Sequence, residues 1–157
     1  MERFQVFDVL HHEYLSLVSL TLAQPDALQE LFEQLEEKEI KIKFLVAHHE
    51  NDGVLHITFC VERSSLKTTH NTLLDLPLQE DALDIHTEVG MVAIHGPHFA
   101  EQHGIIDVMH NALSSEGLQI LAISTTVSTS YFIIPASEVV RALEILREAF
   151  EIPQGKI

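Results

Sequence analysis

The chain has one cysteine, no tryptophan, six glycines and five prolines among its 157 residues. Each scarcity excludes something. A single cysteine cannot close an intrachain disulfide, so the fold rests on its core, and a reducing compartment fits. Cys60 sits in Ile57-Thr58-Phe59-Cys60-Val61, a strand pattern with no second cysteine and no basic neighbour, and reads as structural. The glycines fall in neither a phosphate-cradling nor a dinucleotide spacing, and no Gly-x-Ser-x-Gly elbow is present. No apolar run approaches the roughly 20 residues of a membrane span, and Met1-Glu2-Arg3-Phe4-Gln5 is no signal peptide, so a cytoplasmic location is expected. Cations are scarce too. Nine Lys and Arg against 24 Asp and Glu leave a formal charge of −15, which argues against nucleic acid or an anionic membrane as partner. The one local density, Lys38, Lys41 and Lys43, is offset by Glu36, Glu37 and Glu39 and reads as a solvated helix end. The acidic residues Glu30, Glu33, Glu37, Glu144 and Glu148 fall on the presumed solvent faces of helices, where they serve solubility rather than catalysis. The expectation is a non-enzyme.

What is present is a core and a repeat. Apolar residues make up 46% of the chain, enough for a core without staples. The stretch Gln24 to Leu35, followed by Glu39-Ile40-Lys41-Ile42, aligns without a gap with Gln102 to Leu113, followed by Gly117-Leu118-Gln119-Ile120. Each copy follows an alternating strand, Leu17-Val18-Ser19-Leu20 and Met91-Val92-Ala93-Ile94. A period this long means a duplicated small domain, since solenoid units are shorter.

Alternation and helical spacing predict strands over Phe4–Leu10 and Leu15–Leu22, and a helix opened by Pro25 with Leu28, Leu31, Phe32 and Leu35 on one face. A strand over Ile40–Ala47, the turn Asn51-Asp52-Gly53 and a strand over Val54–Val61 follow. Then come a helix from Ser64 or Ser65 to Leu74, a short edge strand seeded by Leu83 and Ile85, and a strand over Val89–Ile94. The second copy continues with a helix over His103–Ser115, strands over Leu118–Thr125 and Ser128–Ile134, and a helix over Ala136–Phe150 striped by Val139, Val140, Leu143, Leu146 and Phe150. The order is β-α-β-β-α-β twice: an α+β fold of two ferredoxin-like units with helices on one face of antiparallel sheets.

Eleven histidines are the oddity of composition. His95, His98 and His103 with Glu101 could bind zinc or nickel, although their spacing matches no standard zinc signature. His48 and His49, adjacent on a strand, point to opposite faces and cannot share a metal. The loops before the two repeated helices, Leu22 to Asp26 and Gly96 to Gly104, offer helix N–H groups to a carboxylate, and Gly104 lets a ligand approach the backbone.

Two βαββαβ units with a Pro or Gly at the strand–helix loop resemble tandem ACT domains. More narrowly, Asp52-Gly53 with Ile57-Thr58-Phe59, then Val89-Gly90-Met91-Val92-Ala93-Ile94-His95-Gly96, then Ile120 and Ile123 to Ser130, resemble the regulatory region of aspartokinase over essentially the whole chain. Val6 to Tyr14 looks like the linker strand ahead of the first unit in that family, and Met1 just upstream fits a natural start. The resemblance implies one unit over residues 14–84 and a second built from residues 1–13 plus 85–157, side by side. It implies no cofactor, no kinase domain, a homodimer and a catalytic kinase subunit as partner. The effector would be a threonine- or lysine-like amino acid, bound between the first unit of one chain and the second unit of its mate.

Carried over, the family's Asp-x-Pro-Gly loop falls on Ala23, Gln24, Pro25 and Asp26, with Ala27 and Leu28 following; its strand Gln falls near Ala47, and its Asn-Ile on Gln119 and Ile120. The carboxylate that would hold the effector's ammonium is absent at Ala23, and Asp26 replaces the Gly. Two other readings compete: an assembly module that has lost its ligand, motivated by Ala23 and Asp26, and a metal-responsive module, motivated by His95, His98 and His103.

Overall fold

The computed structural model describes residues 3–24, 26–78, 82–96 and 104–153. The chain divides into two compact units, one of Tyr14–Glu88 and one of Met1–Glu13 with Val89–Ile157.

In the Tyr14–Glu88 unit, the second half of β1 (Asp8–Leu22) leads through α1 (Asp26–Glu37) to the hairpin of β2 (Phe44–His49) and β3 (Leu55–Glu62). A 3-10 turn (Arg63–Ser65) then opens α2 (Leu66–Leu74), and the first half of β4 (Leu83–His95) closes the unit. The strands lie in the order β2-β3-β1-β4. β3 is central, with Leu20 and Ala47 both opposite Ile57, and Leu22 and His49 both opposite Leu55. Val18, Leu20, Leu22, Leu55, Ile57 and Phe59 project to the helix side and form the core with Leu31, Leu35 and Leu73. Each such side chain contributes roughly 1.5–3 kcal/mol on burial.

The second unit repeats this plan. It runs from the end of β4 through α3 (Ile105–Ser114), β5 (Ala122–Thr125) and β6 (Thr129–Pro135) to a 3-10 turn (Ala136–Glu138) and α4 (Val139–Ala149). Its fourth strand is supplied by the N-terminus. Residues 8–13 of β1 lie beside β4, with the Phe7 amide donating to the His95 carbonyl at 2.8 Å. The Val6 amide donates to the Glu151 carbonyl, and Val6 and Val9 are buried in this unit's core with Val92, Ile94, Met109, Phe132 and Leu146.

The repeat is kept down to side-chain roles. α1 buries Ala27, Leu31 and Leu35; α3 buries Ile105, Met109 and Leu113, the residues aligned with them. Both helices end alike. The Ile40 amide donates to the Leu35 carbonyl and Glu39 to Glu36; the Leu118 amide donates to Leu113 and Gly117 to Ser114. That is the Schellman termination, which needs a left-handed residue. Glu39 (φ 57°) and Gly117 (φ 79°) supply it.

Several boundaries differ from those expected. Ile40 and Leu118 begin no strand: both are buried as the apolar residue of the helix terminus, and the strands start later, at Phe44 and Ala122. The strands expected over Phe4–Leu10 and Leu15–Leu22 are joined in one 15-residue strand, continuous through Tyr14 at φ 62°. Leu83 and Ile85 belong to no short edge strand but open the 13-residue β4. Val140 is exposed, and Ala142 takes its place on the buried stripe of α4. The two threonines that weaken α2 as a sequence helix do not break it: Thr69 bonds back to the Ser65 carbonyl, while Thr68 offers its carbonyl to the Thr72 hydroxyl.

Candidate functional site

The junction of β1 and α1 is where the sequence placed the site. β1 ends at the buried Leu22, Ala23 and Gln24 are exposed in a bend, and Asp26 opens α1 with its carboxylate in the first turn. The Gln24 carbonyl accepts from the Ala27 amide at 3.1 Å, which starts the helical turn. Ala27 is buried and Leu28 is half-buried against the unit's core, so these two hold the helix on the sheet. Ala23, Gln24 and Asp26 are the members free to meet a ligand. Ala47 is exposed on β2, and β3 separates it from β1, two strand spacings or about 10 Å away. Gln119 and Ile120 belong to the other unit. Gln119 is exposed there, and Ile120 packs against that unit's core.

The equivalent junction of the second unit is described from Gly104, whose φ of 94° starts α3 in a conformation that suits glycine. Of the histidines expected to bind metal, His98 and His103, with Glu101, lie outside the described residues. His95 Nδ1 lies 3.0 Å from the Thr129 hydroxyl, and its ring lies 5.5 Å from that of Phe7. The Ser/Thr-rich stretch after Ile123 is a hairpin braced by its own hydroxyls, with Thr125 Oγ1 at 2.9 Å from Ser130 Oγ. Cys60 is buried between Leu17 and Phe44 in the β-ladder, and burial pushes its thiol up to about 12, which makes it no nucleophile at neutral pH.

A second group of polar residues lies at the same sheet end of the Tyr14–Glu88 unit, one rung in from Leu22, Leu55 and His49. Thr21, His56 and His48 form that rung, on the face turned away from the helices. Thr21 Oγ1 is 3.2 Å from His56 Nδ1, and the rings of His56 and His48 stack with centroids 5.2 Å apart. Glu50 reaches His56 Nε2 at 3.6 Å and His48 Nε2 at 3.7 Å. Sequence reasoning missed this group. The signal was the turn at Asn51-Asp52-Gly53, from which counting outward pairs His48 with His56.

Comparison with known proteins addresses the fold. Residues 85–148 match the ACT domain family. The aspartokinase of Helicobacter pylori (strain 26695) is 22% identical over 131 residues, 83% of this chain. The match spans 32% of that relative's length, so the chain corresponds to about a third of it. The ligand-free regulatory subunit of aspartate kinase from Thermus thermophilus superposes with a TM-score of 0.80 at 21% identity, over 93% of this chain and 99% of that one. E. coli aspartokinase III, solved in complex with lysine and aspartate, superposes with a TM-score of 0.68 at 15% identity, over 95% of this chain and 34% of that one. No kinase catalytic domain is evident in the 157 residues, and the described elements are all taken up by the two ferredoxin-like units. The chain carries an ACT domain at residues 85–148 and has, over nearly its whole length, the fold of the aspartokinase regulatory subunit.

Proposed function

We propose that the chain is a non-catalytic regulatory module that binds a small, threonine- or lysine-like amino acid and transmits that binding to an aspartokinase catalytic subunit in the cytoplasm. The observation that carries this reading is the likeness to a separate regulatory subunit that is matched over 99% of its own length. The ligand's carboxylate would sit on the amides of the first turn of α1, where unpaired N–H groups and the helix dipole favour an anion. Its ammonium would be taken by main-chain carbonyls of the adjoining strand and by Asp26. Gln119 and Ile120 of a mate chain in a homodimer would close the site. The ligand's leverage on the kinase then equals its differential affinity for the two states of the assembly.

One observation favours a second reading, an assembly module that no longer binds an effector. The exposed Ala23 has no acceptor where the family has a carboxylate. Calorimetry with the twenty amino acids at about millimolar concentration separates the two. Under the first reading one amino acid gives saturable heat, and at about a hundred times its Kd it stabilises the fold by roughly 2.7 kcal/mol. Asp26→Asn then weakens binding about tenfold or more, the loss of a charge-assisted hydrogen bond. Absence of heat with all twenty, and a melting temperature unmoved by any, would leave the second reading.

A further inference from the structure

We propose that His48, His56 and Glu50 form a binding site for a divalent transition metal of the zinc type, separate from the amino-acid site proposed above. The three ligand atoms lie within 4.8 Å of one another. The Glu50 oxygen stands 3.6 and 3.7 Å from the two Nε2 atoms, too far for a good hydrogen bond. Zinc bonds of about 2.0–2.1 Å to nitrogen and oxygen set the edge of a tetrahedron at roughly 3.3–3.4 Å. The two Glu50 edges of the triangle therefore need to contract by only a few tenths of an ångström to seat the ion, and the edge between the two imidazoles, which lies within 4.8 Å, by at most roughly 1.5 Å, a rotation of the exposed His48 ring. The fourth position faces solvent, since the His48 and Glu50 side chains are more than half exposed.

The backbone holds the donors ready. His48 and His56 are directly opposite in the β2–β3 ladder, which places both rings on one face, and Glu50 follows His48 by two residues, on that same face. The Glu50 amide donates to the Val54 carbonyl at 2.8 Å and its carbonyl accepts from Gly53 at 3.0 Å, so the hairpin turn fixes its Cα. Gly53, at φ 84°, supplies the left-handed residue of that turn. Thr21 completes the arrangement. A metal on Nε2 requires the proton on Nδ1, and the Thr21 oxygen lies beside His56 Nδ1 to accept it, the outer hydrogen bond that orients a ligating imidazole. Two imidazoles and one carboxylate suit zinc, nickel or copper and not magnesium or calcium, which prefer all-oxygen sites. The formal charge of −15 adds a general attraction for cations.

The test is calorimetric titration of the untagged, chelator-stripped full chain with Zn2+, with Mg2+ as the control. Expected is one Zn2+ per chain, unaffected by Mg2+. The double variant His48→Gln/His56→Gln should weaken it at least a hundredfold, and Glu50→Gln and Thr21→Val each about tenfold or more. His49→Gln, which alters the neighbour on the opposite face, should leave it unchanged. Ring resonances in the wild-type protein give a reading that needs no variant: His48 and His56 shift with Zn2+ while the other histidines stay. Failure of Zn2+ to bind, affinity retained in the double variant, or shifts confined to other histidines would overturn the proposal. These outcomes are distinct from the amino-acid titration, which can fail or succeed independently.

Discussion

Two residues at matched places carry the clearest consequence. Glu39 and Gly117 end α1 and α3 with the same hydrogen bonds and the same left-handed backbone, but only one of them is glycine. A non-glycine residue there costs roughly 1–2 kcal/mol, partly offset by the greater freedom glycine has when unfolded. Glu39→Gly should therefore stabilise the protein by about 0.5–1 kcal/mol. Gly117→Ala should destabilise it by about 1 kcal/mol, although no atom lies within 4 Å of the added Cβ, so the loss comes from the backbone alone. Urea unfolding midpoints of the two variants measure both, and shifts of the same sign would contradict the shared terminus. The metal triad belongs to this scale as well. His48 and His56 are eight positions apart and carry no recognisable spacing, so only the hairpin register makes them neighbours.

Among elements, β4 and α4 meet at a glycine. A Cβ on Gly90 would collide with Cγ2 of Val139 and lie 3.3 Å from the His12 carbonyl on β1. The glycine's missing side chain thus leaves the space that Val139, fully buried, occupies. Gly90→Ala should cost about 1–3 kcal/mol, the usual penalty for overpacking. Adding Val139→Ala to it should recover part of that loss, which a double-mutant cycle in thermal or urea unfolding would read. The helices and most strands were legible from period and turn residues: α1, α3 and α4 follow their apolar stripes, and Gly53 marks the hairpin. The starts of β2 and β5 were not. Ile40 and Leu118 alternate with their neighbours like strand residues, yet a Schellman terminus uses the same apolar residue for a different purpose, and alternation cannot tell the two apart.

For the molecule as a whole, charge is the dominant imbalance. Nine cationic residues face 24 acidic ones, and the ion pairs Lys43–Glu62, partly exposed to solvent, and Arg141–Glu116, exposed, are worth little. Self-repulsion of this size destabilises the compact state and is screened by salt. Raising the ionic strength from about 0.01 to about 0.15 M, which shortens the screening length from roughly 30 to 8 Å, should raise the melting temperature, by about 2–4 °C for each kcal/mol of repulsion relieved. A fall would mean that the ion pairs outweigh the repulsion.

The sequence by itself determined the duplicated α+β plan and the buried faces of the repeated helices, because periodicity, turn residues and composition are local properties. Tertiary structure alone decided how segments distant along the chain pair. It separated Ala47 from the β1–α1 junction by an intervening strand and set Thr21 of β1 beside the hairpin histidines His56 and His48. Pairing across a sheet depends on register and strand order, which arise when distant segments share a core and leave no periodic trace along the chain.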